Sequence, residues 1–107
     1  MSQPASGLPV YATKRLMLAS AIVSRPKLLM LDEPSLGIAP KLIPVIYAGI
    51  RQVAADGTDV LLVEQNVRDA LQTADRAYVL QTGKIVASGS AREMLDSELI
   101  KKAFLGL

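Results

Sequence analysis

The chain has no cysteine, no histidine and no tryptophan among its 107 residues. Without cysteine there is no disulfide framework and no thiolate metal site, and the composition suits a reducing compartment. Without histidine, imidazole catalysis and imidazole metal ligation are excluded. Aromatic residues are scarce, three Tyr and one Phe, so any core rests on Leu, Ile, Val and Ala. No apolar run approaches the ~18 residues that cross a bilayer. Residues 1–9 lack the basic start and apolar centre of a secretion signal. Charge is nearly balanced, with 12 Lys and Arg against 10 Asp and Glu. The basic pairs Lys14-Arg15 and Lys101-Lys102 stand apart without interleaved aromatics, so no nucleic-acid partner is expected. Nowhere does Gly-x-x-x-x-Gly-Lys-Ser/Thr occur, so the chain has no loop of backbone N–H groups and lysine to cradle phosphates.

What is present is apolar. Hydrophobic residues make up 50% of the chain, and mean hydropathy is +0.32. Either nearly every residue lies in a core element, or some apolar surface expects a partner. Residues 1–11 are rich in Ser, Pro and Gly and read as an irregular lead-in. A helix is predicted over 12–24, ended by Pro26, because the residue before a proline avoids the α region. A strand follows at 27–31. The next helix, 41–56, carries Ile43, Ile46, Ile50 and Val53 as one stripe and stops at Gly57. A second strand is predicted at 60–63. Asn66 then caps a short helix to about 73, with Asp69 completing a capping-box pattern. Residues 77–81 and 84–88 form a hairpin around Thr82-Gly83. Ser90 with Glu93 caps one short helix, and Asp96 or Ser97 caps a last one ending at Gly106. Alternating helix and strand argues for an α/β fold with a parallel sheet.

The chemistry concentrates in Leu28-Leu29-Met30-Leu31-Asp32-Glu33-Pro34-Ser35. A continuous apolar run is the pattern of a strand buried on both faces of a parallel sheet. Carboxylates at its carboxyl end stand where open α/β sheets bind ligands. Pro34 cannot extend a central strand, so the chain turns there. This is the layout of a Walker B strand, with one acid for Mg²⁺ and the next for water.

Further segments fall in the same order as in one known family. Ser24-Arg25-Pro26-Lys27 leads into that strand, and Leu36-Gly37-Ile38-Ala39-Pro40 resembles a D-loop. Val63-Glu64-Gln65-Asn66 resembles a switch region. Ala74-Asp75-Arg76-Ala77-Tyr78-Val79-Leu80 with Gly83-Lys84-Ile85-Val86 is similar to a closing hairpin, and Ala103-Phe104-Leu105-Gly106 to a carboxyl end. Over 12–107 the chain resembles the carboxyl-terminal half of an ABC-transporter nucleotide-binding domain. It is most similar to the ATPase subunits of high-affinity branched-chain amino-acid importers.

The resemblance implies a partial P-loop NTPase core: a mostly parallel sheet with flanking helices, a C-terminal β-hairpin and short helices. It implies that Asp32 holds Mg²⁺ through water and that Glu33 polarises the water attacking the γ-phosphate of ATP. Gln65 takes the place of the switch histidine; its amide can hydrogen-bond but cannot take a proton. Ser35 and Gly37 would line the loop that faces a second ATPase subunit, in a homo- or heterodimer. Ile38 departs from the Asp common there. The implied partners are transmembrane permease subunits, and the implied place is the cytoplasmic face of the inner membrane, held peripherally through them. The signature Leu-Ser-Gly-Gly-Glu/Gln falls on Leu8-Pro9-Val10-Tyr11-Ala12, where only Leu8 matches. With no phosphate loop either, the chain alone is expected to be inactive. The alternatives are a non-catalytic module that binds transporter subunits and an α/β domain that binds Mg²⁺ only.

The resemblance also implies that a strand absent from this chain lies between the 60–63 and 77–81 strands. Three outcomes are expected: self-association, a rearranged sheet with those two strands side by side, or partial disorder.

Overall fold

The computed structural model describes residues 8–105, in two compact units, Met1–Glu64 and Gln65–Leu107. The first unit begins with α1 (Leu8–Ser24). The helix starts earlier than the lead-in over 1–11 allowed; residues 1–7 lie outside the described residues. Pro9 explains the early start. In the first turn its missing N–H has no intrahelical partner to lose, and its φ is already helical. At the other end Arg25 takes φ +49° and donates its N–H back to Ala21 O at 3.0 Å. Pro26 follows and prevents continuation.

Strand β1 (Leu28–Asp32) leads through a turn and a short 3₁₀ segment, Pro40–Leu42, into α2 (Ile43–Ala55). Gly57, at φ +98°, closes that helix, and β2 (Asp59–Val63) returns parallel to β1. Their register pairs Leu28 with Asp59 and Asp32 with Val63. Thr58 ties the two strand starts together: its buried hydroxyl donates to Pro26 O at 2.8 Å.

The predicted stripe of α2 forms the core. Ile46, Ile50 and Val53 are buried, joined by Tyr47, by Leu18 and Ala21 of α1, and by Ile38. Leu29, Leu31, Val60 and Leu62 pack against this cluster from the sheet. Gly49 lets the two helices approach, since a Cβ there would stand 3.0 Å from Leu18 Cδ1.

Burial of β1 and β2 on both faces, expected from their apolar runs, is not what forms. Exposure alternates along each strand. Leu28, Met30, Leu61 and Val63 remain 54%, 67%, 51% and 53% exposed. Both described helices of this unit lie on the other face, so nothing among the described residues of the unit covers this one.

The second unit is built from α3 (Val67–Thr73), β3 (Arg76–Gln81), β4 (Lys84–Ser90), α4 (Ala91–Asp96) and α5 (Glu98–Ile100), which continues as a π-helical turn, Lys101–Leu105. The hairpin turns where expected, with Thr82 at φ +52° and Gly83 at φ +75°, the two left-handed residues of a type I′ turn. Each helix starts on a side-chain oxygen. Asn66 accepts from Asp69 N, Ser90 from Glu93 N, and Ser97 from Ile100 N. Leu71, Ala91, Met94 and Ile100 form the core of this unit.

The described strands make two two-stranded sheets, β1 with β2 and β3 with β4. Each strand keeps its sequence neighbour as partner, the cheaper contact in chain entropy.

Candidate functional site

The site is the carboxyl end of β1. Alternation along the strand puts Asp32 on the same bare face as Leu28 and Met30. There it borders a depression of about 230 Å³ lined by Met30, Leu31, Leu61 and Val63. An exposed carboxylate at the rim of an apolar floor can hold a cation without being buried itself.

Glu33 continues the ladder by one bond and then breaks the strand. Its N–H donates to Val63 O at 2.6 Å, while its own backbone is left-handed at φ +49°. That conformation costs a non-glycine residue about 1–3 kcal/mol and persists only where neighbours over-determine it. Four hydrogen bonds do so. The turn closes with Leu36 N donating to Glu33 O at 3.0 Å. Lys14 reaches over from α1 and donates from Nζ to Glu33 O at 3.2 Å and to Leu36 O at 2.7 Å. Just after β2, Glu64 Oε2 accepts from Ser35 N at 3.2 Å. Pro34, inside the turn, is buried.

The remaining expected residues fall as follows. Ser35 is half-buried, with its N–H on Glu64. Gly37 is exposed at φ +76°, where a side chain would be strained, and it lies beside Val10 of α1. Ile38 is 7% exposed and belongs to the core, so this position anchors the loop rather than offering a polar group. Asp32, Glu33, Ser35 and Gly37 thus share one turn of the first unit. Gln65 opens the second unit and is exposed, next in the chain to Glu64.

Lys14 and Glu64 were not singled out in the sequence. Glu64 had a signal available: like Asp32, it is a carboxylate directly following an apolar strand. Tyr47, buried at 3%, donates its hydroxyl to Glu64 Oε2 at 2.7 Å. Lys14 had none, because nothing in a helical pattern tells which turn a lysine will reach.

Asp32 can be tested against the magnesium that the motif implies. Among the described residues no three acidic groups gather as a metal cage. Mg²⁺ does not need one: it keeps several waters and takes one or two carboxylates, with phosphates completing the shell. One exposed Asp at a strand end fits that role. The nucleotide does not fit in the same way, since the chain carries no phosphate loop.

No family profile matches the chain. It is 47% identical over 91 residues to the high-affinity branched-chain amino acid transport ATP-binding protein BraG of Pseudomonas aeruginosa, a match covering 85% of this chain and 39% of that protein. It is 37% identical over 93 residues to the lipopolysaccharide export system ATP-binding protein LptB of Acidithiobacillus ferridurans, covering 87% of this chain and 39% of that one. In fold it is similar to MJ1267, an ATP-binding cassette of an ABC transporter, in its ADP conformation. The TM-score is 0.70 at 26% identity, over 91% of this chain and 40% of that one. These matches bear out the family resemblance and the P-loop NTPase fold. The chain spans well under half the length of these relatives.

Proposed function

From a chain whose sequence and fold match part of an ABC-transporter ATP-binding domain, we propose that it supplies the Mg²⁺-binding and water-activating side of an ATP site that powers an importer. The observation that carries this reading is the turn after β1, where Asp32 borders the bare face and Glu33 is held left-handed beside it. Asp32 would hold Mg²⁺ through water. Glu33, one residue on, would orient and polarise the attacking water, a task of positioning and charge rather than covalent chemistry. Gln65 would contribute a neutral hydrogen-bonding group. Ser35 and Gly37 would face a second ATPase subunit. Permease subunits would hold the assembly at the cytoplasmic face of the inner membrane. The higher identity to BraG than to LptB, 47% against 37%, supports branched-chain amino acids as the cargo.

The bare apolar face favours a second reading, a non-catalytic module that binds transporter subunits through Leu28, Met30, Leu61 and Val63. One experiment separates the two. The chain is joined to a P-loop half, and phosphate release is measured with Glu33→Gln as control. Glu33→Gln should keep ATP binding and slow turnover by about 10²–10⁴-fold. Unchanged turnover would move the catalytic role elsewhere, Gln65 being the next residue to substitute. No turnover at all in the joined protein would favour the interaction module. The chain alone should neither bind Mg-ATP at micromolar concentration nor release phosphate.

A further inference from the structure

We infer that Lys14 and Glu64 are positioning residues that clamp the turn after β1 from two sides and set the backbone of Glu33. The inference extends the proposed role of Glu33. The turn has a problem to solve: Glu33 is not glycine, yet it stands at φ +49°. Local sequence solves it only in part, because Pro34 turns Glu33 away from the right-handed α region without selecting the left-handed one. Besides the local bond from Leu36 N to Glu33 O, the fixing contacts come from elsewhere in the first unit.

Lys14 supplies the first jaw. One ammonium bridges two carbonyls, Glu33 O at 3.2 Å and Leu36 O at 2.7 Å, and so spans the turn from its first residue to its last. A charged donor makes the stronger kind of hydrogen bond to a carbonyl. Lysine has a stem long enough to leave α1 and reach both. Glu64 supplies the second jaw. One carboxylate oxygen accepts from Ser35 N at 3.2 Å and from the buried Tyr47 hydroxyl at 2.7 Å. Tyr47 belongs to the core of α2, so the carboxylate that holds Ser35 is itself held by the best-packed part of the unit. Glu64 also immediately precedes Gln65 in the chain. A shift of the switch segment would thus be felt at Ser35 through one residue.

The test uses amide hydrogen exchange and the intraresidue HN–Hα NOE of Glu33, strong when φ is positive, on the full 107-residue chain. The wild-type chain should show a protected Ser35 amide and the strong NOE. Glu64→Ala should speed Ser35 exchange roughly tenfold, the loss of about one hydrogen bond. Glu64→Gln, which keeps an acceptor oxygen, should restore most of the protection. Lys14→Met should weaken the NOE and Lys14→Arg should restore it, with the exchange of core amides in α2 unchanged in both Lys14 variants. None of these readouts needs nucleotide, so they can succeed where the hydrolytic reading of Glu33 fails. In the domain joined to a P-loop half, Glu64→Ala should lower kcat roughly tenfold and leave KM for ATP unchanged. A Ser35 amide that exchanges freely in the wild type, or equally in wild type and Glu64→Ala, overturns the inference. So does a change in KM with kcat intact.

Discussion

In the first unit, Ile46 and Val53 are fully buried in a cluster drawn from α1, α2 and the inner face of β1 and β2. Its helix α2 begins without a side-chain cap, on Leu42. In the second unit the core among the described residues is four side chains, and α3, α4 and α5 start on an Asn or Ser oxygen. One unit is held by helix-on-sheet packing between segments far apart in sequence. The other adds a hairpin and helix caps formed by nearby residues to a smaller cluster. The difference bears on the chemistry, because a left-handed Glu33 needs support from Lys14 and Glu64, 19 and 31 residues away. Local contacts alone would not provide it.

The largest test of this contrast is truncation of each core. Ile46→Ala removes most of a side chain with 0% exposure. Large-to-small core changes cost about 2–5 kcal/mol, more where the site cannot collapse. Ile46→Ala is expected near the top of that range, since Leu18, Tyr47 and Ile50 around it are themselves pinned. Leu71→Ala in the smaller cluster should fall near the bottom. Urea unfolding with an unchanged m-value measures both. An equal loss at the two sites would erase the distinction between the units.

The same contrast explains what could be read from the sequence. In the second unit the signals are local and were legible: Asn66 before Asp69, Thr82-Gly83 between two apolar runs, Ser90 three residues before Glu93, and Ser97 at the last helix. In the first unit the stripe of α2 and the Asp32-Glu33 turn were legible from period and order. The start of α1 lies earlier than the Ser, Pro and Gly content of 1–11 suggests, because Pro9 fits a first helical turn. The one-sided burial of β1 was invisible, since an apolar run carries no record of whether a covering layer is present. Lys14 and Glu64 were missed for a related reason. The groups they hold in the turn are backbone carbonyls and a backbone N–H, and backbone groups leave no mark on the sequence.

A middle-sized effect belongs to the caps. Ser90→Ala and Asn66→Ala each remove an acceptor from a helix N-terminus and should cost about 1 kcal/mol. Leu42→Ala at the start of α2 removes no cap, since no side-chain bond exists there; any loss should come from the contact Leu42 makes with the core. The check is the temperature midpoint together with exchange of the first-turn amides. For Ser90→Ala the amide of Glu93 should lose protection, whereas the α2 first-turn amides should not respond to Leu42→Ala. A response there equal to that of Glu93 would mean that α2 is also locally held.

The smallest effect on stability is expected on the bare face of the sheet. Met30 and Val63 are 67% and 53% exposed, so Met30→Gln and Val63→Thr give up little burial. Each should change unfolding free energy by no more than about 0.5 kcal/mol, as surface substitutions usually do. Association is another matter. Leu28, Met30, Leu61 and Val63 form one apolar face, and among the described residues β1 and β2 each pair on one side only. Strand edges next to an apolar face invite pairing with a second chain. The wild-type chain is therefore expected to self-associate in sedimentation, and the double substitution to shift it toward monomer while leaving the urea midpoint nearly unchanged. Gln and Thr are close in size to the residues they replace, and Thr keeps the β-branch that suits a strand, so the main change is in the apolar character of the face. A wild-type chain that sediments as a monomer at every concentration would show that this face does not attract a copy of itself. A drop in stability as large as that of Ile46→Ala would show that the face is covered after all, and the two sides of the sheet would then be equivalent.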